Sequence, residues 1–188
     1  MYMNILKELF FVFWFFAPAG LANIAAFSAG KIPVLKKYSY PVDFYKKYRG
    51  KRILGDHKTI RGFLAGIVVG IATVCLQIFL FQHVFMLRHV LPLNYNHVNP
   101  WILGTLAAFG ALAGDSVKSL FKRRMNISPG KSWFPFDQID YILGGIVFTV
   151  FYIKLNLFQY ILLFILWFLL HPLTTFLGYL FKLKDEPV

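Results

Sequence analysis

The chain has 188 residues, 58% of them hydrophobic, and sets 20 Lys/Arg against 8 Asp/Glu for a formal charge of +12. A mean hydropathy of +0.60 and 22 phenylalanines exclude an ordinary soluble composition and identify an integral membrane protein. One cysteine excludes an intrachain disulfide framework. The positive charge would suggest nucleic acid in a soluble domain, but here loop topology accounts for most of it, so no nucleic-acid partner is expected.

In chain order, the first apolar run extends from Leu9 to Gly30 and the second from Gly62 to Leu87. Each exceeds the ~20 residues that a helix needs to cross a hydrocarbon core. Ala26-Phe27-Ser28-Ala29 offers small residues of the kind found at a leader cleavage site, but the bases follow the apolar run, so it reads as a span. Pro100 suits a helix start, and the third apolar pattern continues through Leu120 and Phe121. From Tyr141 to Phe181 only Lys154 breaks the apolar sequence, which predicts two spans joined near Lys154 to Asn156. Pro172 predicts a kink in the last helix. The fold expected is an all-α, polytopic single membrane domain over residues 1–188, with about five transmembrane helices at roughly 5–30, 62–87, 100–121, 137–154 and 157–181.

Ten of the 20 bases lie in the loop 31–61, and five more lie between Lys118 and Lys131. The positive-inside rule then places the N-terminus outside and the two basic loops, 31–61 and 122–136, in the cytoplasm. The first loop is too short for a sizeable core of its own. Its middle, Tyr38 to Tyr45, is expected to lie at the membrane interface or to fold over a site. Attraction to anionic headgroups is a second reading of these bases.

Chemistry is therefore expected where loops meet helices. Continued as helix, the third span puts Asp115, Lys118, Ser119 and Lys122 on one face, with Asp115 roughly 21 Å from Trp101 at ~1.5 Å per residue. Asp137 and Asp140 share a face if the fourth helix starts near Asp137. Three carboxylates at one membrane edge supply the oxygen ligands that suit Mg²⁺, whereas the scattered histidines form no zinc spacing. The alternative is an Asp115–Lys118 ion pair with Asp137 as a helix cap. Gly55 to Gly62 lacks the Walker A spacing, but Lys58, Thr59 and Arg61 offer charge and a hydroxyl for phosphates entering from the cytoplasm. Their alternative role is to anchor a helix end. Gly62, Gly66 and Gly70 predict close helix packing, with a groove for lipid chains as the other reading.

Pro41-Val42-Asp43-Phe44, Arg52 through Gly62, Ala113-Gly114-Asp115-Ser116-Val117-Lys118-Ser119, Lys122-Arg123-Arg124 and Phe134 through Asp140 together resemble the CDP-archaeol synthase family. That family comprises membrane cytidylyltransferases related to CDP-diacylglycerol synthases, and the resemblance covers nearly the whole chain. It implies Mg²⁺-dependent transfer of CMP from CTP to a lipid phosphate, 2,3-di-O-geranylgeranylglycerol 1-phosphate or a similar lipid, with pyrophosphate leaving. It implies metal at Asp115, Asp137 and Asp140, which with Lys122 form the expected catalytic set. It further implies CTP phosphates at Lys58, Thr59, Arg61, Lys118 and Arg123. His57 departs from the family pattern, where a glycine is expected.

Two other classes of function use the same residues. A CDP-alcohol phosphotransferase is disfavoured because its Asp-Gly-x-x-Ala-Arg motif with spaced aspartates is missing. A lipid or ion transporter is disfavoured because the carboxylates gather at one edge. The sequence does not distinguish ether from ester lipid chains, nor does it report the oligomeric state.

Overall fold

The computed structural model describes residues 2–128 and 131–180. The Pro129-Gly130 step of the second basic loop and the stretch 181–188, which holds Lys182 and Lys184, lie outside the described residues. The regular secondary structure of the described residues is helical apart from one short hairpin of two-residue strands. Helix α1 spans Tyr2–Ser28, α2 Pro33–Lys36, α3 Ile60–His83, α4 Phe85–Val90, α5 Pro100–Arg124, α6 Phe136–Thr149 and α7 Leu157–Leu180, and strands β1 (Lys47–Tyr48) and β2 (Lys51–Arg52) pair antiparallel. A 3₁₀ turn at Tyr95–His97 precedes α5.

Three of the described helices, over Ile5–Ser28, Ile60–His83 and Leu157–Phe176, are long and apolar enough to cross a membrane. Helix α5 has 25 residues, about 37 Å at ~1.5 Å per residue, but concentrates charge in its C-terminal half. Helix α6 has only 14 residues, roughly 21 Å, which falls short of the ~30 Å hydrocarbon thickness.

Helix boundaries shift from the sequence expectation for local reasons. Thr59 caps α3 by accepting a hydrogen bond from the Gly62 amide, so the helix begins two residues before the apolar run. It stops at His83 and a separate short helix α4 covers residues up to Val90, where a continuous span to Leu87 was expected. Asn99 caps α5 through the Trp101 and Ile102 amides with Pro100 in its first turn, and α5 continues to Arg124. Helix α6 ends at Thr149, five residues before Lys154, and 153–156 are non-helical; Asn156 and Gln159 then cap α7 reciprocally. Pro172 sits inside α7, and Pro18 sits inside α1.

The core lies where α1 meets α3, α5, α6 and α7, around Phe11, Phe15, Phe16, Leu103, Ile142, Leu163 and Trp167. Glycines let the backbones approach. A Cβ on Gly66 would stand 3.0 Å from the Ala22 carbonyl oxygen, and one on Gly70 would stand 2.8 Å from that of Gly104. The Gly-x-x-x-Gly face of α3 is therefore a packing surface for α1 and α5. The tightest contact joins α5 to α6, where Cβ atoms on Gly110 and Gly114 would collide with the Gly144 and Asp140 carbonyls and one on Gly144 would meet the Gly114 Cα at 2.9 Å.

This contact predicts that Gly114→Val separates α5 from α6, an overpacking cost of about 1–3 kcal/mol or more. Thermal unfolding followed by size-exclusion in detergent should show a lower midpoint. Leu64→Val, at a site 60% exposed on α3, should leave the midpoint nearly unchanged.

Candidate active site

Because α5 and α6 touch through glycine, the residues beside those glycines meet as well. Asp115, Lys118 and Lys122 come from one face of α5, as their spacing predicts, and Asp137 and Asp140 from the first turns of α6. The Lys118 ammonium is the centre of the arrangement. It lies 3.1 Å from Asp115 Oδ1, 2.8 Å from Asp137 Oδ1 and 2.6 Å from Asp140 Oδ2. Lys122 Nζ donates to both Asp137 oxygens at 3.0 and 3.1 Å and to the Lys131 carbonyl. Lys58, arriving from the loop before α3, donates to Asp115 Oδ2.

Three carboxylates and three ammonium groups thus balance in formal charge. The cluster is largely withdrawn from solvent: the Lys118 side chain is 13% exposed and that of Asp140 is 6%. Backbone amides take up further carboxylate lone pairs, since Trp133 N–H donates to Asp137 Oδ2 and Tyr141 N–H to Asp140 Oδ1. Asp137 is therefore a clustered carboxylate in the first turn of α6, not its cap, because Pro135 holds the N-cap position.

A second construction presents Lys58. Val42 N–H donates to the Lys58 carbonyl and Ile60 N–H to the Tyr40 carbonyl, so residues 40–42 pair with 58–60. Between them, Asp43 gathers five hydrogen bonds: Arg52 Nη2 at 2.7 Å, Arg52 Nε at 3.3 Å, and the amides of Tyr45, Leu54 and Gly55. Burial by itself raises the Asp43 pKa, but the Arg52 hydrogen bond, the Leu54 and Gly55 amides and the guanidinium charge outweigh it and hold the pKa at about 2. Gly55 adopts φ +93°, a left-handed geometry that suits glycine where its amide turns to Asp43.

Arg124 ties this loop to the end of α5. Its guanidinium donates to the Tyr48 carbonyl at 2.6 Å and to the Arg52 carbonyl at 3.1 Å and lies over the Tyr48 ring. Lys51 reaches Asn126. The part of the loop that meets the end of α5 is 48–52, while the segment around Tyr38 to Tyr45 pairs with residues 58–60 and folds on Arg52.

The remaining candidates divide. Thr59 caps α3, and Arg61 Nη1 donates to the Leu35 carbonyl at 2.6 Å and to Ser39 Oγ at 2.8 Å, so both are built into the loop and neither joins the ion cluster. Arg123 lies beside Gly55, and its buried Nε makes no hydrogen bond among the described residues. His57 is exposed. Ser116 and Ser119 donate to the Leu112 and Asp115 carbonyls of their own helix. Asp43, Arg52 and Arg124 were not singled out as site residues by the sequence; an acid among the many bases of the loop 31–61, where Asp56 is the other, was the available signal for the first two.

The aspartates match a hard cation in donor chemistry, being oxygen ligands only. Their present arrangement surrounds an ammonium, and among the described residues no three His, Cys, Asp or Glu side chains form a ready-made metal cage.

These features define an integral membrane protein with a balanced ionic cluster at the ends of two glycine-packed helices. The comparisons specify which one. The CarS-like CDP-archaeol synthase family matches residues 3–188, and the chain belongs to that family. It is 36% identical over 181 residues to a CDP-archaeol synthase of Methanosarcina barkeri, covering 90% of this chain and 98% of the relative. It is 38% identical over 164 residues to one from Methanocorpusculum labreanum, covering 78% and 89%. Among solved structures, an intramembrane enzyme for archaeal membrane lipids biosynthesis superposes with a TM-score of 0.65 at 29% identity, over 86% of this chain and 90% of that one.

The Asp43 clasp generates a prediction. Asp43→Asn removes the charge from a buried hydrogen-bond hub, worth about 1.5–3 kcal/mol of local stability. Hydrogen exchange in residues 44–58 should accelerate while α7 stays protected. Because the folded pKa lies below the ordinary value of 3.8, the clasp is fully stabilising above about pH 4. In the wild-type protein its protection should fade as pH falls from there towards about 2.

Proposed function

We infer that this protein transfers CMP from CTP to a membrane lipid phosphate of the archaeal type, giving a CDP-activated lipid and pyrophosphate. Family membership over nearly the full chain supports this, and the observation that carries it to particular residues is the convergence of Lys58, Lys118 and Lys122 on Asp115, Asp137 and Asp140.

A lipid phosphate monoester has a second pKa near ~6 and is largely dianionic at neutral pH, so its oxygen can attack the α-phosphorus without a general base. A new phosphorus–oxygen bond forms, the α–β anhydride bond breaks, and its electron pair leaves on pyrophosphate. No protein nucleophile is required, in keeping with hydroxyls at Ser116 and Ser119 already committed to their own helix. The chain's task is to align two anions and offset charge, the pattern of other phosphoryl-type transfers. Lys58, Lys118 and Lys122 supply mobile positive charge, and Arg123, whose Nε has no partner among the described residues, supplies a planar donor set for a phosphate. Thr59 and Arg61 serve CTP indirectly, by ordering the segment that carries Lys58.

Mg²⁺ is the cofactor of this reading, with Asp115, Asp137 and Asp140 as its protein ligands. Bound there, it would neutralise phosphate oxygens in the transition state. The lipid reaches the site laterally through the bilayer, and the nucleotide through the loops 31–61 and 122–136, which face the cytoplasm with the N-terminus outside. The helices α1, α3, α5, α6 and α7 form a single membrane domain over 1–188, with the short α6 crossing only together with the non-helical segment that follows it.

Two experiments test this. With purified protein, ³²P at the α-phosphate of CTP should enter the lipid product, and ³²P at the γ-phosphate should leave in pyrophosphate. Asp115→Asn, Asp137→Asn and Asp140→Asn should each lose most turnover while remaining folded in the membrane. A kinase would reverse the labels; a CDP-alcohol phosphotransferase or a transporter would label no lipid from CTP. For orientation, Lys47→Cys and Ser128→Cys in a Cys75→Ser background should react with an impermeant thiol reagent only after right-side-out vesicles are permeabilised, and Asn96→Cys without permeabilisation. The opposite pattern would invert the topology.

A further inference from the structure

We propose that Lys118 is a resident cation that occupies the carboxylate site before substrate binds and exchanges those carboxylates for the triphosphate when metal and CTP arrive together. The proposal rests on the cytidylyltransferase reading and assigns a step of its binding order.

Three observations carry it. One ammonium contacts a carboxylate oxygen of all three aspartates within 2.6–3.1 Å, so it sits where their fields overlap most strongly. Among the described residues Lys58 touches only Asp115 of the three and Lys122 only Asp137, and Lys118 alone bridges α5 and both acidic positions of α6. With three Lys against three Asp the cluster is neutral, so a bare divalent ion entering it would create an excess of two positive charges in a site largely closed to water. Electrostatic penalties of that kind are strong where solvent screening is weak.

A divalent ion accompanied by the triphosphate brings negative charge with it and leaves Lys118 an anionic partner to move to. The Lys side chain suits this role, being a compact charge on a flexible four-carbon stem. Two ligands that relieve each other's penalty bind with positive coupling, and the coupling is reciprocal. Lys118 is thus a positioning residue for the empty state, where it keeps mutually repelling carboxylates together, and a phosphate contact in the loaded state.

Mn²⁺ reports on the exchange without turnover. The full-length protein in nanodiscs, with no lipid phosphate present, is dialysed to equilibrium against Mn²⁺, and protein-bound metal is counted by electron paramagnetic resonance. Wild-type protein should bind Mn²⁺ weakly alone and about tenfold or more tightly with CTP at matched free Mn²⁺. Lys118→Met, which leaves the cluster with one net negative charge, should bind Mn²⁺ about tenfold or more tightly than wild type without nucleotide. Lys118→Arg should stay near wild type, and Lys122→Met should change less than Lys118→Met. Equal or weaker Mn²⁺ binding by folded Lys118→Met overturns the proposal. If that variant does not fold, wild-type protein decides, and equal Mn²⁺ affinity with and without CTP overturns it. Labelling of lipid from α-³²P-CTP, after the lipid phosphate is added to the same preparation, separates the two readings: labelled lipid with no tightening sinks only the exchange, whereas tightening with no labelled lipid sinks the transfer reaction.

Discussion

The approach of α5 to α6 through Gly110, Gly114 and Gly144 is the constraint on which the site depends. A side chain at any of the three would push the helices apart, and the carboxylates of Asp137 and Asp140 would then stand too far from α5 to share one ammonium. Burying six charges is costly, and deleting one partner of a buried pair typically costs about 3–5 kcal/mol because the other is left uncompensated. The cluster is therefore held by packing and does not itself draw the helices together. Its position helps: Asp137 lies in the first turn of α6, where exposed amides favour anions, and Lys122, Arg123 and Arg124 close α5, where free carbonyls favour cations.

Around this fixed pair of helices the first basic loop is assembled from within by Asp43. One carboxylate organises Arg52 and the amides of Tyr45, Leu54 and Gly55, turning a run of like charges into an ordered strap. Arg124 then docks the strap on the end of α5. Lys58 reaches Asp115 only because the loop is closed at both ends, by Asp43 within it and by the Thr59 cap at the start of α3. The placement of Lys58 in the cluster thus comes from neighbours that do not touch the cluster, the kind of support that a site acting by positioning requires.

The sequence disclosed those parts that depend on period. Asp115, Lys118 and Lys122 at helical spacing belonged on one face, and Asp137 with Asp140 on another; both hold. It also disclosed the long helices, because apolar length is a one-dimensional property. It did not disclose who partners whom. Arg61 and Thr59 look like phosphate ligands in the string Lys58-Thr59-Ile60-Arg61 because their chemistry suits it, but a hydroxyl before a helix is equally suited to capping, and Arg61 finds Leu35 and Ser39 through the tertiary fold. The early end of α6 was hidden in an apolar run in which helix and non-helix share one composition. The binding of three carboxylates to one lysine was hidden because it needs the α5–α6 distance, which two glycine positions thirty residues apart set jointly.

A site at a membrane surface must also reject the anions around it. A purely basic cluster would attract anionic lipid headgroups and free phosphate alike. Here Lys58, Lys118 and Lys122 are each already paired with a carboxylate, so a single phosphate offers them little that they lack. A ligand that supplies a cation for the aspartates together with anionic oxygens for the lysines would satisfy both halves at once, and in the proposed reading a metal–triphosphate complex is that ligand. Discrimination then follows from charge balance inside the cluster, with no need for a pocket that excludes competitors by shape.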